Sequence, residues 1–229
     1  MGTIEAAANP NLVDTNLTPN EDSNATLSEE AVKVVQAAGK STQCSMIVEQ
    51  FGFCHLCVGD LLEKEANSDS EHGPMIKDLK RKGELVPTEI VVQLLMDAMK
   101  NSTNKKFLID GFPRNMKNLL AAQSSMKEEP DLVLFLDCSQ EVMITRVLGR
   151  KQGRADDNSE TIKRRIEVYR ESTLPVISYY ESKGMVETIN AEKPVEEVFD
   201  AVKTVFSKLK LKISGKNSGV LSIHGTAWP

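Results

Sequence analysis

No apolar stretch in this chain approaches the roughly 20 residues of a membrane-crossing helix. The first 30 residues contain no Lys or Arg, so they have neither the basic region of a signal peptide nor the arginines of a transit peptide. Gly2 follows Met1, but Ala6 stands where a myristoylation signal has Ser or Thr. Excess positive charge is also missing. The net charge is −5, and the head holds Glu5, Asp14, Glu21, Asp22, Glu29 and Glu30. What remains is close to neutral, which argues against a general nucleic-acid-binding face. Cysteine is sparse. Cys44, Cys54, Cys57 and Cys138, with nothing to suggest secretion, read as reduced thiols. The expected location is the cytoplasm, with the nucleus as a second compartment.

What is present fits one compact α/β domain. The 229 residues are enough for a sizeable core, and 40% hydrophobic with 27% charged residues is an ordinary globular balance. Residues 1–28 are polar and read as a disordered head. Residues 214–229 read as a flexible tail, although Val220, Leu221, Ile223 and Trp228 interrupt its polar character. Between them helix and strand signals alternate, which implies βαβ units and a parallel sheet.

Leu132 to Leu136 is an unbroken apolar run suited to a strand buried on both faces. Lys106 to Asp110 is a second predicted strand, Phe53 to Val58 a third, and the more polar Met185 to Asn190 a fourth, near the edge. A first strand should precede Gly39, where only the short Ala31 to Val35 offers itself. Helical periodicity covers Lys40–Gln50, Thr88–Met99, Glu141–Gly149, Glu160–Ser182 and Val195–Leu211.

Four motifs fall at predicted strand ends, where doubly wound sheets bind ligands. Gly39-Lys40-Ser41-Thr42 opens a helix, as the end of a phosphate-binding loop does. Its N–H groups and lysine suit phosphate oxygens, and its hydroxyl suits Mg²⁺. By itself it also fits an ordinary helix start. Asp110-Gly111-Phe112-Pro113-Arg114-Asn115 directly follows KFLI. It offers an acid for a hydrated cation, a glycine for close backbone approach, and a guanidinium fork for phosphate. Arg150 to Asn158, followed by Arg164 and Arg165, is an arginine-dense loop that could close over a triphosphate, or simply pair its own Arg and Asp in solvent. Gly59-Asp60-Leu61-Leu62 reads as a strand end and a new helix. Cys54-His55-Leu56-Cys57 invites a zinc reading, but in a strand its two cysteines point to opposite faces and no second pair exists.

Taken together, GKSTQC, GDLL, ELVPTE, FLIDGFPRN, LFLDC, GRADDN and ESTLPVISYYESKG resemble the adenylate kinase-like nucleoside-monophosphate kinases, and within them the UMP/CMP kinases. The likeness runs from about Gly39 to Leu209. It implies a P-loop NTPase-type α/β fold, with a parallel five-stranded sheet flanked by helices. The kinase domain would span 29–213, with a helical insert for the monophosphate at about 60–86 and a short lid at about 150–157. The implied reaction moves the γ-phosphate of ATP to UMP or CMP, with Mg²⁺ as cofactor, in a monomer that binds neither nucleic acid nor membrane.

The resemblance also implies roles residue by residue. Gly39, Lys40, Ser41 and Thr42 would hold ATP phosphates, and Thr42 with Asp110 would serve Mg²⁺, partly through water. Gly111, Phe112, Pro113 and Arg114 would contact the monophosphate. Asn118 would read the pyrimidine, and Glu84, Leu85 and Val86 would line the nucleoside pocket. Arg150 would face ATP, and Lys193 would lie by the adenine. Arg154 and Arg165 would bridge to the transferred phosphate, so that Lys40, Arg114, Arg150, Arg154 and Arg165 form the catalytic cations.

Two departures from the family pattern stand out. Val34, Ala37 and Ala38 occupy a loop where the family has glycine, and Glu63 replaces an arginine that binds the monophosphate. A positive φ costs roughly 1–2 kcal/mol at each residue that is not glycine. Both changes lead us to expect reduced turnover on a retained fold. Alternatives in the same frame are a nucleotide-binding pseudo-kinase, an interaction protein on the kinase fold, and an adenylate kinase.

Overall fold

A computed structural model of the chain describes residues 39–126, 129–148, 159–213 and 219–225. The head, the expected strand at Ala31–Val35 and the loop residues Val34, Ala37 and Ala38 lie outside the described residues. So do Arg150, Arg154, the rest of the lid segment 150–157, and Trp228.

The first described helix, α1 (Lys40–Phe51), starts at Gly39, whose φ of 71° suits a residue without Cβ, and ends at Gly52 in the same left-handed region. Strand β1 (Cys54–Cys57) follows, then α2 (Val58–Ala66) and α3 (Gly73–Lys82), a helical pair where the sequence suggests an insert. Helix α4 (Thr88–Asn101) leads to β2 (Lys106–Asp110). Helix α5 (Met116–Ala121) is capped by Asn115, whose side chain accepts from Asn118 N, and runs into a π-helical turn. Next come β3 (Leu132–Asp137), α6 (Gln140–Leu148) and α7 (Ser159–Val168). The single helix expected over Glu160–Ser182 is interrupted by a π-helical turn at Tyr169–Thr173 before α8 (Leu174–Ser182). The chain then forms β4 (Val186–Asn190), α9 (Val195–Ile213) and β5 (Gly219–Gly225).

All pairings are parallel, and the sheet order is β1-β2-β5-β3-β4. The polar β4 lies at an edge, as its composition suggests. The last strand in the chain, however, lies at the centre. Residues 219–225 are therefore no flexible tail. Leu221 and Ile223 are almost wholly buried on one face, and Val220, Ser222 and His224 on the other. Hydrogen bonds lock its start: Gly219 N donates to Lys105 O, Asp131 N to Val220 O, and Val220 N to the Asp131 carboxylate.

Two apolar layers cover the sheet. One joins α1, α8 and α9 through Ile47, Val176, Val202 and Phe206, and the other joins α2, α3 and α4 through Leu62, Ile76 and Leu95. A sheet buried on both faces explains the unbroken apolar run of β3. Because the strands are parallel, Cys57, Asp110, Gly225, Asp137 and Asn190 all sit toward one end, which is where α1 begins. No described helix is long and apolar enough to cross a membrane.

Candidate functional site

The site is assembled where the ends of β1, β2 and β5 meet the start of α1. Lys40 is buried there, 7% exposed, in the first turn of α1. Burial lowers its pKa, the Asp110 charge works the other way, and the Arg114 charge adds to the lowering. Asp110, at the tip of β2, is 5% exposed. Burial pushes its carboxyl up, but the nearby His55 ring, Lys40 and Arg114 outweigh that and hold it below the ordinary value.

The turn after β2 is tightly tied. Gly111 has φ 78°, and a Cβ there would come within 2.8 Å of the Arg114 guanidinium. The Phe112–Pro113 peptide is cis. Arg114 Nε donates to Gly111 O at 2.8 Å, which folds the guanidinium back over the turn. Arg114 N donates to Asn118 Oδ1, and Thr173 Oγ1 donates to Arg114 O. Burial lowers the Arg114 pKa, Asp110 opposes the fall, and Arg165 adds to it. Arg165 is itself buried, in α7, and its side chain packs against Gly83 at the end of α3. Lys40 and Arg114 thus flank Asp110, and Arg165 extends the group of cations from the Arg114 side.

Strand β5 holds this turn from below. Gly111 N donates to Ile223 O. Ser222 Oγ donates to Phe112 O at 2.5 Å, so its remaining contact, 2.8 Å to His224 Nε2, must be accepted from the imidazole N–H. Burial drives the His224 pKa down to about 3, which keeps the ring neutral.

The other expected site residues are distributed unevenly. Gly39, Ser41 and Thr42 surround the start of α1, with Ser41 exposed and Thr42 half-buried. Gly111, Phe112 and Pro113 are buried beneath Arg114. Asn118 is 4% exposed, and its Nδ2 donates to Thr88 Oγ1 at 2.8 Å. Its amide already braces the turn, with one donor and one acceptor position left. Glu84 is exposed, Leu85 half-buried and Val86 buried, in the link between α3 and α4. Lys193 is exposed and pairs with Glu197 at 3.9 Å. Glu63, on α2, forms an ion pair with Lys80 of α3 and accepts from Asn67. Its charge therefore has a cation beside it.

Sequence reading missed the supports of this turn: Thr88, Thr173, Ser222 and His224. Thr88 and Thr173 lie inside the segments ELVPTE and ESTLPVISYYESKG, but neither was assigned a role there. The Ser222–His224 pair was hidden in a segment read as tail.

Comparison with known proteins closes the question of family. The sequence profile described as Adenylate kinase matches residues 35–185. The chain is 53% identical to UMP-CMP kinase 3 of Arabidopsis thaliana over 170 residues, covering 74% of this chain and 84% of that protein. The chain belongs to the adenylate kinase family. It is also 51% identical to UMP-CMP kinase 1 of Oryza sativa subsp. japonica over 172 residues, covering 75% and 71% of the two chains. Against the UMP-CMP kinase of Homo sapiens it is 45% identical over 181 residues, covering 75% and 92%. Within this adenylate kinase-family chain, Gly39, Lys40, Asp110, Arg114 and Arg165 all lie inside the family match, whereas β5 lies beyond it.

Proposed function

We infer that the chain transfers the γ-phosphoryl group of ATP to UMP or CMP, giving ADP and the pyrimidine nucleoside diphosphate. The observation that carries this reading is the group of cations at the β2 tip, with buried Lys40 and Arg165 flanking half-buried Arg114. Charged groups held in a poorly solvated cleft lower the energy of an anionic ligand more than the same groups do in water. The family membership and the similarity to UMP-CMP kinases name the anions.

In this reading the first N–H groups of α1 and the Lys40 ammonium bind the phosphates of ATP, helped by the helix dipole. The Arg114 fork grips the acceptor phosphate in a bidentate fashion, and Asn118 and Thr173 fix its backbone. Arg165 compensates charge on the group in flight. Phosphoryl transfer needs alignment and charge compensation rather than a covalent nucleophile. No protein base is required, and burial of the site keeps water from competing.

Asp110 fits a divalent cation, since its Oδ1 is buried without a hydrogen-bond partner. With Thr42 it would hold Mg²⁺, partly through water, and the ion would neutralise charge on the ATP phosphates. The products belong to pyrimidine nucleotide metabolism.

The test is ADP release by the purified full chain with Mg²⁺-ATP and UMP, CMP or AMP in parallel. ADP formation with UMP and CMP, above that with AMP, is the expected result. Acceleration by AMP alone would make the chain an AMP kinase, and no acceleration by any acceptor would reject transfer.

A further inference from the structure

Strand β1 pairs with β2 so that Cys57 stands opposite Asp110 and His55 opposite Leu108. His55 is therefore a diagonal neighbour of Asp110 on one face of the sheet. Cys44, fully buried in α1, comes to the same place. One ligand-type atom from each of Cys44, His55 and Asp110 lies within 4.8 Å of the others. His55 Nε2 stands 3.8 Å from Asp110 Oδ2, too far for a good direct hydrogen bond. His55 Nε2 and Asp110 Oδ1 are both buried without a hydrogen-bond partner. Buried polar atoms in that condition are uncommon and call for a ligand or a water.

We propose that Cys44, His55 and Asp110 form a binding site for a thiophilic divalent cation of the zinc class. This is not the Cys54–Cys57 pair that the sequence suggests and strand geometry rejects. Its three ligands come from α1, β1 and β2, and only folding brings them together. Ligand atoms around tetrahedral zinc stand roughly 3–4 Å apart, so a contraction of about 1–2 Å at most closes the set. A mixed sulfur, nitrogen and oxygen set favours zinc over Mg²⁺, which prefers oxygen in octahedral array.

On binding, the Cys44 thiol gives its proton to solvent and its sulfur takes the cation. The thiolate and the Asp110 carboxylate then balance the double charge. Burial pushes the free Cys44 thiol well up, so without metal it stays protonated and unreactive. His55 has 26% of its side chain exposed and forms the entry side. The fourth position is left for water. Zinc here would withdraw Asp110 from Mg²⁺ and inhibit transfer. That consequence rests on the proposed kinase activity, whereas the binding does not.

The experiment uses the metal-free full chain, with Co²⁺ as the spectroscopic probe and Zn²⁺ as competitor. We expect about one equivalent of Co²⁺ to give a thiolate-to-cobalt charge-transfer band with a tetrahedral visible spectrum, both abolished by Zn²⁺. Cys44→Ser should remove the charge-transfer band. His55→Gln, at a half-exposed strand position, should weaken Zn²⁺ binding at least ~10-fold while circular dichroism stays native. Cys54→Ser should change neither. An octahedral cobalt spectrum without a thiolate band overturns the site, and so does Zn²⁺ affinity unchanged in His55→Gln. A chain without kinase activity that still gives the thiolate band upholds the site and rejects only the inhibitory role.

Discussion

At the residue scale, Lys40 and Arg114 are charges held where water is scarce, and their neighbours decide whether they can stay there. Asn118 shows how closely this is arranged. Its carbonyl accepts from Arg114 N and its amide donates to Thr88, so one side chain ties the backbone of Arg114 to the start of α4. Asn118→Ala leaves two polar groups without partners, and urea unfolding should show a loss of about 1–3 kcal/mol. The KM for UMP should rise in the same variant. His224 gives a pH-dependent prediction. Its pKa falls from 6.5 in the unfolded chain to about 3 on folding, through burial first and the Arg114 charge second. The unfolded chain therefore binds this proton more readily. Above pH 6.5 the ring is neutral in both states and stability is unaffected. As pH falls below that value stability declines, by about 2 kcal/mol at about pH 5. His224→Gln keeps a donor for Ser222, and its unfolding free energy should lose that part of the slope. An identical acid slope in both proteins would show that His224 is not the titrating group.

At the element scale, β5 is the piece on which the site rests. It fills the centre of the sheet between β2 and β3, and it bonds to the turn that carries Arg114 through Ile223 O and Ser222 Oγ. Leu221→Ala should cost about 2–5 kcal/mol, because 3% exposure leaves the cavity little room to collapse. Ile223→Asp places a charge where the side chain is wholly buried, and should abolish cooperative unfolding by circular dichroism. Native-like melting of either variant would mean that β5 is not a core strand in solution. This is also where the sequence was hardest to read. Strands β2 and β3 were legible because two-sided burial makes them continuous apolar runs. The α1 start was legible because Gly39 and Lys40 mark it. The turn at Asp110–Asn115 was legible because its acid, glycine, proline and arginine suit a stiffened turn that offers a fork to phosphate. Strand β5 has Ser222 and His224 among its apolar residues and follows a polar stretch. Its partners are more than 80 residues away in sequence, and no local pattern reports such pairing. The break between α7 and α8 was invisible for a related reason, since a π-helical turn keeps the helical composition. The cluster of Cys44, His55 and Asp110 is likewise a product of tertiary structure alone.

At the scale of the whole molecule, three parts that are separate in sequence converge at one end of the sheet. The α1 start brings the phosphate-binding lysine, the β2 turn brings the acceptor-side arginine, and α7 brings a third cation against the α2–α3 pair. Thr161 Oγ1 donates to Arg81 O, so α7 and the helical pair already touch. The most direct measurement of this account is a single turnover with ATP labelled in the γ-phosphoryl group, Mg²⁺ and UMP, comparing the full chain with Lys40→Met. The account predicts label in the β-phosphate of UDP, with a rate at least ~10²-fold lower in the variant. Label found only in inorganic phosphate, or equal rates in the two proteins, would contradict it.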